Sequence, residues 1–96
     1  MKSPNDCSNM ADIRAEIDRR DRDVVRLFGE RFQYVKAAAK FKTSETSVRA
    51  PERFAAMLAE RRQWAEEEGL SADVIEKLFR DLVEHFIAEE MARWRS

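Results

Sequence analysis

Residues that make tight turns are scarce in this 96-residue chain, which has two glycines and two prolines against 39% charged and 44% hydrophobic residues. That balance excludes most sheet architectures, whose hairpins need Gly, Asn and Pro, and favours long helices. A single cysteine, Cys7, excludes an internal disulfide and suits a reducing cytoplasm. No apolar run approaches the roughly 20 residues of a membrane-spanning helix. The opening MKSPNDCSNM carries no hydrophobic leader core. Net charge is also missing: at −1 the chain offers no electrostatic reason to bind nucleic acid or an acidic membrane surface. The one histidine, His85, has no Cys, Asp or second His at metal-ligand spacing, so no metal is implied. No Gly-rich phosphate loop is present, and the runs RRDRD and AEEEG read as solvated helix faces.

What is present is helical periodicity with legible stops. Pro4, Asn5, Asp6 and Ser8 favour turns or a cap in an irregular start. From about Asn9 to Lys42, Met10, Ile13, Ile17, Val24, Phe28, Val35 and Ala39 recur at helical spacing. This predicts one helix of roughly 30 residues. Thr43 to Ala50, TSETSVRA, reads as a polar loop. Pro51 suits the first turn of a second helix carrying Phe54, Met57, Leu58, Arg61 and Trp64 on one side. Gly69 is the expected stop, and Ser71 the cap of a third helix with Asp73 and Glu76 near its positive end. Trp64 and Trp94 read as core or interface anchors. The expected class is all-α, three helices in a single domain spanning 1–96. A first helix of roughly 45 Å overhangs any compact chain of this size, whose radius of gyration is about 12–13 Å. Its apolar ends need another chain, and an intertwined homodimer supplies one.

Several charges break the apolar stripes. On the third helix Phe79, Val83, Phe86, Ile87 and Trp94 fall within a sector of roughly 100°, and Glu90 lies in its middle. Glu84 and Glu89 fall at or beyond its edges. On the first helix, treated as continuous to residue 42, Arg31 and Lys42 lie in the same band as Ile13, Ile17, Val24 and Val35. They stand roughly 16 Å apart. Arg14 lies on a different flank, some 25 Å along the axis from Arg31, so the two cannot converge on a small ligand within one subunit. Across an antiparallel dimer they can. Each charge has a structural reading too: arginine stems snorkel along apolar faces, Asp21 can neutralise a cation, and Glu90 can pair with Arg or Lys from a neighbouring helix. The pattern alone leaves structural pairing and a pocket for a small dianion both open.

The segments ADIRAEIDRRDRDVV, ERFQYVKAAAKFK, APERFAAMLAERRQWAEEEGL and FIAEEMARW occur in an order and spacing that resemble the all-helical chorismate mutase family. Within it the chain is most similar to the isochorismate-pyruvate lyases of salicylate synthesis. The resemblance implies an intertwined homodimer of three-helix subunits with two shared sites. It implies a small dianionic substrate, isochorismate or chorismate, no cofactor and a siderophore pathway. Arg14 matches the family arginine donated by the partner subunit. Arg31 and Lys42 match the cationic pair of the main subunit, and Glu90 matches the position facing the ether oxygen of the substrate. In catalytic terms the resemblance points to Lys42 and Glu90, with all four residues binding substrate.

The implied reaction is a pericyclic elimination of isochorismate to salicylate and pyruvate, with weak chorismate mutase activity beside it. A dedicated mutase forming prephenate and a non-catalytic helical interaction module are the alternatives. Two departures stand out, one from the lyase pattern and one from the mutase pattern. Glu90 occupies a position where glutamine is more familiar; an ionised acid there repels a dianion, so the protonated donor form is favoured and activity is expected to fall as pH rises. Pro51 stands where mutases often carry an arginine, which leans toward the lyase, with Arg49 or Arg53 as substitutes.

Overall fold

A computed structural model describes residues 1–95, with side chains described through Arg93. The long helices are the three expected: α1 (Met10–Ala38), α3 (Pro51–Glu67) and α4 (Ala72–Arg95). No strand occurs among the described residues. One element differs from expectation. The segment read as a polar loop contains a five-residue helix, α2 (Glu45–Arg49). The reason is local: Ser44 and Ser47 form a reciprocal capping box, and Val48 gives the short helix one buried residue. Trp94, expected as an anchor, lies outside the described side chains.

The chain divides into two compact units, Met1–Ala38 and Ala39–Ser96. In the first, Asn9 begins α1 as the sequence suggests: its side chain accepts the Asp12 N–H at 2.9 Å, and the Asp12 carboxylate accepts the Ser8 N–H at 2.9 Å. The preceding residues form a short 3-10 turn, Pro4–Asp6, and fold back along α1. There the Lys2 N–H donates to Glu16 Oε1 at 3.0 Å, and Lys2 Nζ reaches Asp12 at 3.0 Å. Glu16 is the only residue of α1 classed as buried. Apolar residues of α1 stand open: Ile17, Val24, Val25 and Leu27 are all about half exposed, while Ile13, Phe28 and Val35 are partly covered.

The second unit holds the hydrophobic core, built from Val48, Met57, Leu58, Ala65 and Met91, each no more than 5% exposed. A Met or Leu side chain buried in this way contributes about 1.5–3 kcal/mol relative to exposure. Pro51 opens α3 as expected, and Gly69 follows its end with φ 74°, a left-handed conformation that glycine adopts without steric cost. Ser71 then caps α4, its hydroxyl accepting the Val74 N–H at 3.3 Å. The α3–α4 pair is fastened at this end by Arg62, which donates to Asp73 at 2.8 Å and to Glu76 at 3.4 Å. Arg61, on the apolar side of α3, buries its stem and stacks its guanidinium 4.5 Å from the Trp64 ring and 5.6 Å from Phe79. That is a packing role, with Glu60 as its ion-pair partner.

The junction between the units changes one geometric expectation. α1 ends at Ala38 and is followed by a 3-10 turn, Ala39–Phe41. Lys42 therefore lies beyond the helix, its N–H bonded to the Ala39 carbonyl at 3.1 Å. The common band for Arg31 and Lys42 assumed an α-helix continuous to residue 42, and a tighter turn rotates the side chains differently.

Candidate active site

The acid in the middle of the α4 stripe is buried. Glu90 is 12% exposed at its side chain, whereas Glu89 is 46% exposed and Glu84 is also exposed. The helical sector read from sequence thus separates the inward carboxylate from its solvated neighbours. Glu90 Oε2 accepts from Lys42 Nζ at 3.1 Å, and Lys42 is 23% exposed. The two residues are 48 apart in sequence. The cation anticipated as Glu90's structural partner is thus Lys42, itself a candidate site residue, and it comes from a turn rather than a helix. Glu90 Oε1, by contrast, is buried with no hydrogen-bond partner among the described residues. A buried carboxylate oxygen without a donor is costly, so one half of Glu90 is satisfied and the other, among the described residues, is not.

Arg14 and Arg31 both lie on α1. Arg14 is exposed and Arg31 half-buried. Their 17-residue separation on a continuous α-helix amounts to about 25 Å, so α1 alone does not bring them to one small ligand. Lys42 and Glu90 are brought together.

Arg49 and Arg53, the expected substitutes for an arginine at Pro51, lie on α2 and α3. Arg49, 54% exposed, pairs with Glu45 at 3.4 Å and borders a groove of about 590 Å³. Pro51, Phe54, Glu84, Ile87 and Met91 also line that groove. Arg53 is exposed on α3. His85, as expected, is on the polar flank of α4, 63% exposed and 3.2 Å from Glu89. No cluster of three or more His, Cys, Asp or Glu residues suited to a metal ion occurs among the described residues. No helix there is long and apolar enough to cross a membrane.

Sequence reasoning passed over two residues. Glu16 is 8% exposed, and besides the Lys2 N–H it holds Arg19 and Arg20, the latter at 2.9 Å. These contacts, the Lys2 N–H first and the Arg20 guanidinium next, lower its carboxyl to about 2. The i+3 and i+4 arginines were visible in the sequence, but the Lys2 contact was not. Val48, 3% exposed, was hidden by the polar residues around it; the Ser44-x-x-Ser47 spacing was the available signal.

Residues 13–91 match the Chorismate mutase type II family. The chain is 54% identical over 95 residues to the isochorismate pyruvate lyase of Pseudomonas aeruginosa, covering 99% of this chain and 94% of that protein. It is 40% identical over 82 residues to the T-protein of Haemophilus influenzae, covering 84% of this chain and 22% of that protein.

Proposed function

The chain belongs to the Chorismate mutase type II family, and from that premise we propose that it is an isochorismate-pyruvate lyase, with weak chorismate mutase activity beside it. The observation that carries this reading is the near full-length likeness to the Pseudomonas lyase. In the elimination, the ether C–O bond of isochorismate breaks while a ring hydrogen moves to the methylene carbon of the departing enolpyruvyl group. The ring becomes salicylate and the side chain pyruvate. A pericyclic step of this kind needs no nucleophile and no cofactor. The protein's task is to hold a compact conformer and to stabilise charge developing on the ether oxygen.

Each site residue has a part. Lys42 supplies a point charge beside the breaking bond, and Glu90 faces the ether oxygen and the adjacent carboxylate. The Lys42–Glu90 pair supports this, because it brings the two residues together at 3.1 Å. Arg31 and Arg14 bind the two substrate carboxylates, for which the guanidinium fork suits bidentate contact. Arg14 comes from a second copy of the chain. The half-exposed apolar residues of α1 support a homodimer, since a helix with an open apolar stripe needs a partner. Residues 1–96 form a single chorismate mutase-like domain in this reading, active in the cytoplasm and supplying salicylate to siderophore synthesis.

The test is direct. Purified protein given isochorismate is expected to release salicylate and pyruvate in equal amounts, and given chorismate to form prephenate more slowly. A faster reaction on chorismate identifies a dedicated mutase, and no reaction on either leaves a non-catalytic module. Sedimentation at micromolar concentration is expected to show a dimer; a monomer removes the shared site.

A further inference from the structure

We propose that Val48 is a positioning residue: buried at 3% exposure, it anchors the mini-helix α2 in the second unit and so keeps Lys42 Nζ on Glu90. This rests on the lyase reading and deepens it, because it assigns the placement of the key lysine to a residue of the hydrophobic core.

The physical case begins with α2 itself. Five residues are far too few to sustain a helix alone, since nucleation is unfavourable and only about one turn is gained. Its sequence, ETSVR, offers one apolar side chain, and that side chain is among the most buried in the unit. The caps at its start connect directly to Lys42. Ser44 Oγ accepts the Ser47 N–H at 3.1 Å, while Ser47 Oγ accepts the Ser44 N–H at 3.0 Å and the Thr43 N–H at 3.2 Å. Lys42 therefore sits between two tied points. Behind it the 3-10 turn holds its own N–H; ahead of it Thr43 is bonded to the residue preceding Val48.

The far end of α2 makes the anchor necessary. Ala50 has φ 40° and ψ 60°, the only non-glycine residue with positive φ among the described residues, and it precedes Pro51. A left-handed alanine is strained, and proline disfavours any α conformation in the residue before it. Such a joint persists only where packing on both sides holds it. α3 is held by Met57 and Leu58, and α2 by Val48. Trimming Val48 lets Ala50 relax toward extended backbone and carries the capped Thr43–Arg49 segment, with Lys42, away from Glu90. Lysine is long enough to follow its partner through small shifts, but then it samples many rotamers instead of one.

The experiment compares steady-state rates on isochorismate for wild type, Val48→Ala, Val48→Ile, Lys42→Met and the Val48→Ala/Lys42→Met double variant. Val48→Ala is expected to lower kcat about 10–100-fold with a smaller change in KM, the scale of a misplaced catalytic group. Val48→Ile is expected to restore most of the rate. In the Lys42→Met background the Val48 change is expected to cost no more than about twofold, because its route of action is already gone. The same loss in both backgrounds, or no loss in either, overturns the proposal. Amide exchange supplies a readout independent of catalysis. Val48→Ala is expected to speed exchange across Thr43–Ala50 while Met57–Ala65 stays protected, and unchanged exchange at Thr43–Ala50 refutes the anchor. If Val48→Ala does not fold, the same-shaped Val48→Thr repeats both measurements with the anchor weakened by a buried hydroxyl. A wild-type protein inactive on isochorismate and chorismate sinks the lyase reading, while the exchange measurement still decides whether Val48 holds the segment.

Discussion

Removing Lys42 is expected to destabilise the protein more than neutralising Glu90, although both changes break the same ion pair. At 3.1 Å the Coulomb attraction amounts to about 5 kcal/mol for an effective dielectric of about 20. Much of it is offset by desolvation, since Glu90 is 12% and Lys42 23% exposed. Lys42→Met leaves the Glu90 carboxylate buried with neither oxygen paired. A cost of about 2–3 kcal/mol follows, below the 3–5 kcal/mol of a fully buried pair because the lysine is partly solvated. Glu90→Gln keeps an amide oxygen for Lys42 and leaves without its counter-charge only the more solvated lysine, so about 0.5–1 kcal/mol is expected. In the double variant no charge remains buried, and its cost should fall short of the sum of the singles by about 1–2 kcal/mol. Urea unfolding of the four proteins, at one protein concentration to hold any association constant, measures all three numbers. Strict additivity, or a Lys42→Met cost below about 0.5 kcal/mol, would show that the pair is a surface contact without energetic consequence.

The same pair predicts an order of effects on binding: Glu90→Gln keeps an oxygen for Lys42 and is expected to change KM for isochorismate by less than Lys42→Met does. A larger rise in KM for Glu90→Gln gives Glu90 another role. Glu16 predicts a separate acid transition. Its carboxyl lies at about 2 when folded against an ordinary 4.5, so its stabilising contacts are complete above about 4.5 and are lost as pH falls toward 2. The protection factor of the Lys2 amide, its exchange rate relative to an open amide at the same pH, is expected to fall through that window and to be low throughout in Glu16→Gln; equal protection in both proteins refutes the latch. Gly69→Ala is expected to cost about 1 kcal/mol in urea unfolding from backbone conformation alone, because φ is 74° and a Cβ there meets nothing within 4 Å. A neutral result means the turn relaxes freely.

The three long helices were legible because their signals are local and redundant. Pro51, Gly69 and Ser71 each mark an end by a backbone preference that operates within one turn. The burial of Glu90 was legible for a similar reason, since a regular helix fixes the direction of every side chain along it. Where helical regularity failed, so did the inference. The 3-10 turn at Ala39–Phe41 breaks the angular bookkeeping before Lys42, and no residue in AKFK announces the change. α2 was hidden because composition points to a loop while its stability comes from one tertiary contact, the burial of Val48. The Lys2–Glu16 latch likewise joins residues 14 apart through a backbone N–H, which no side-chain pattern records.

The sequence posed structural pairing and ligand binding as rival accounts of Glu90, and the geometry makes them compatible. A carboxylate whose purpose is only to pair gains most by satisfying both oxygens, and an apolar residue of similar size often serves stability as well as an ion pair. Glu90 does neither: Oε2 holds Lys42 while Oε1 stays buried without a partner among the described residues. Such an arrangement is poor as structure, and on the reading proposed above it serves a site in which a dianionic guest shares Lys42. Calorimetric titration of wild type and Lys42→Met with a non-reactive dianionic analogue tests that reading: Lys42→Met is expected to weaken binding at least about tenfold, and equal affinity in the two proteins would assign the Lys42–Glu90 pair to packing alone.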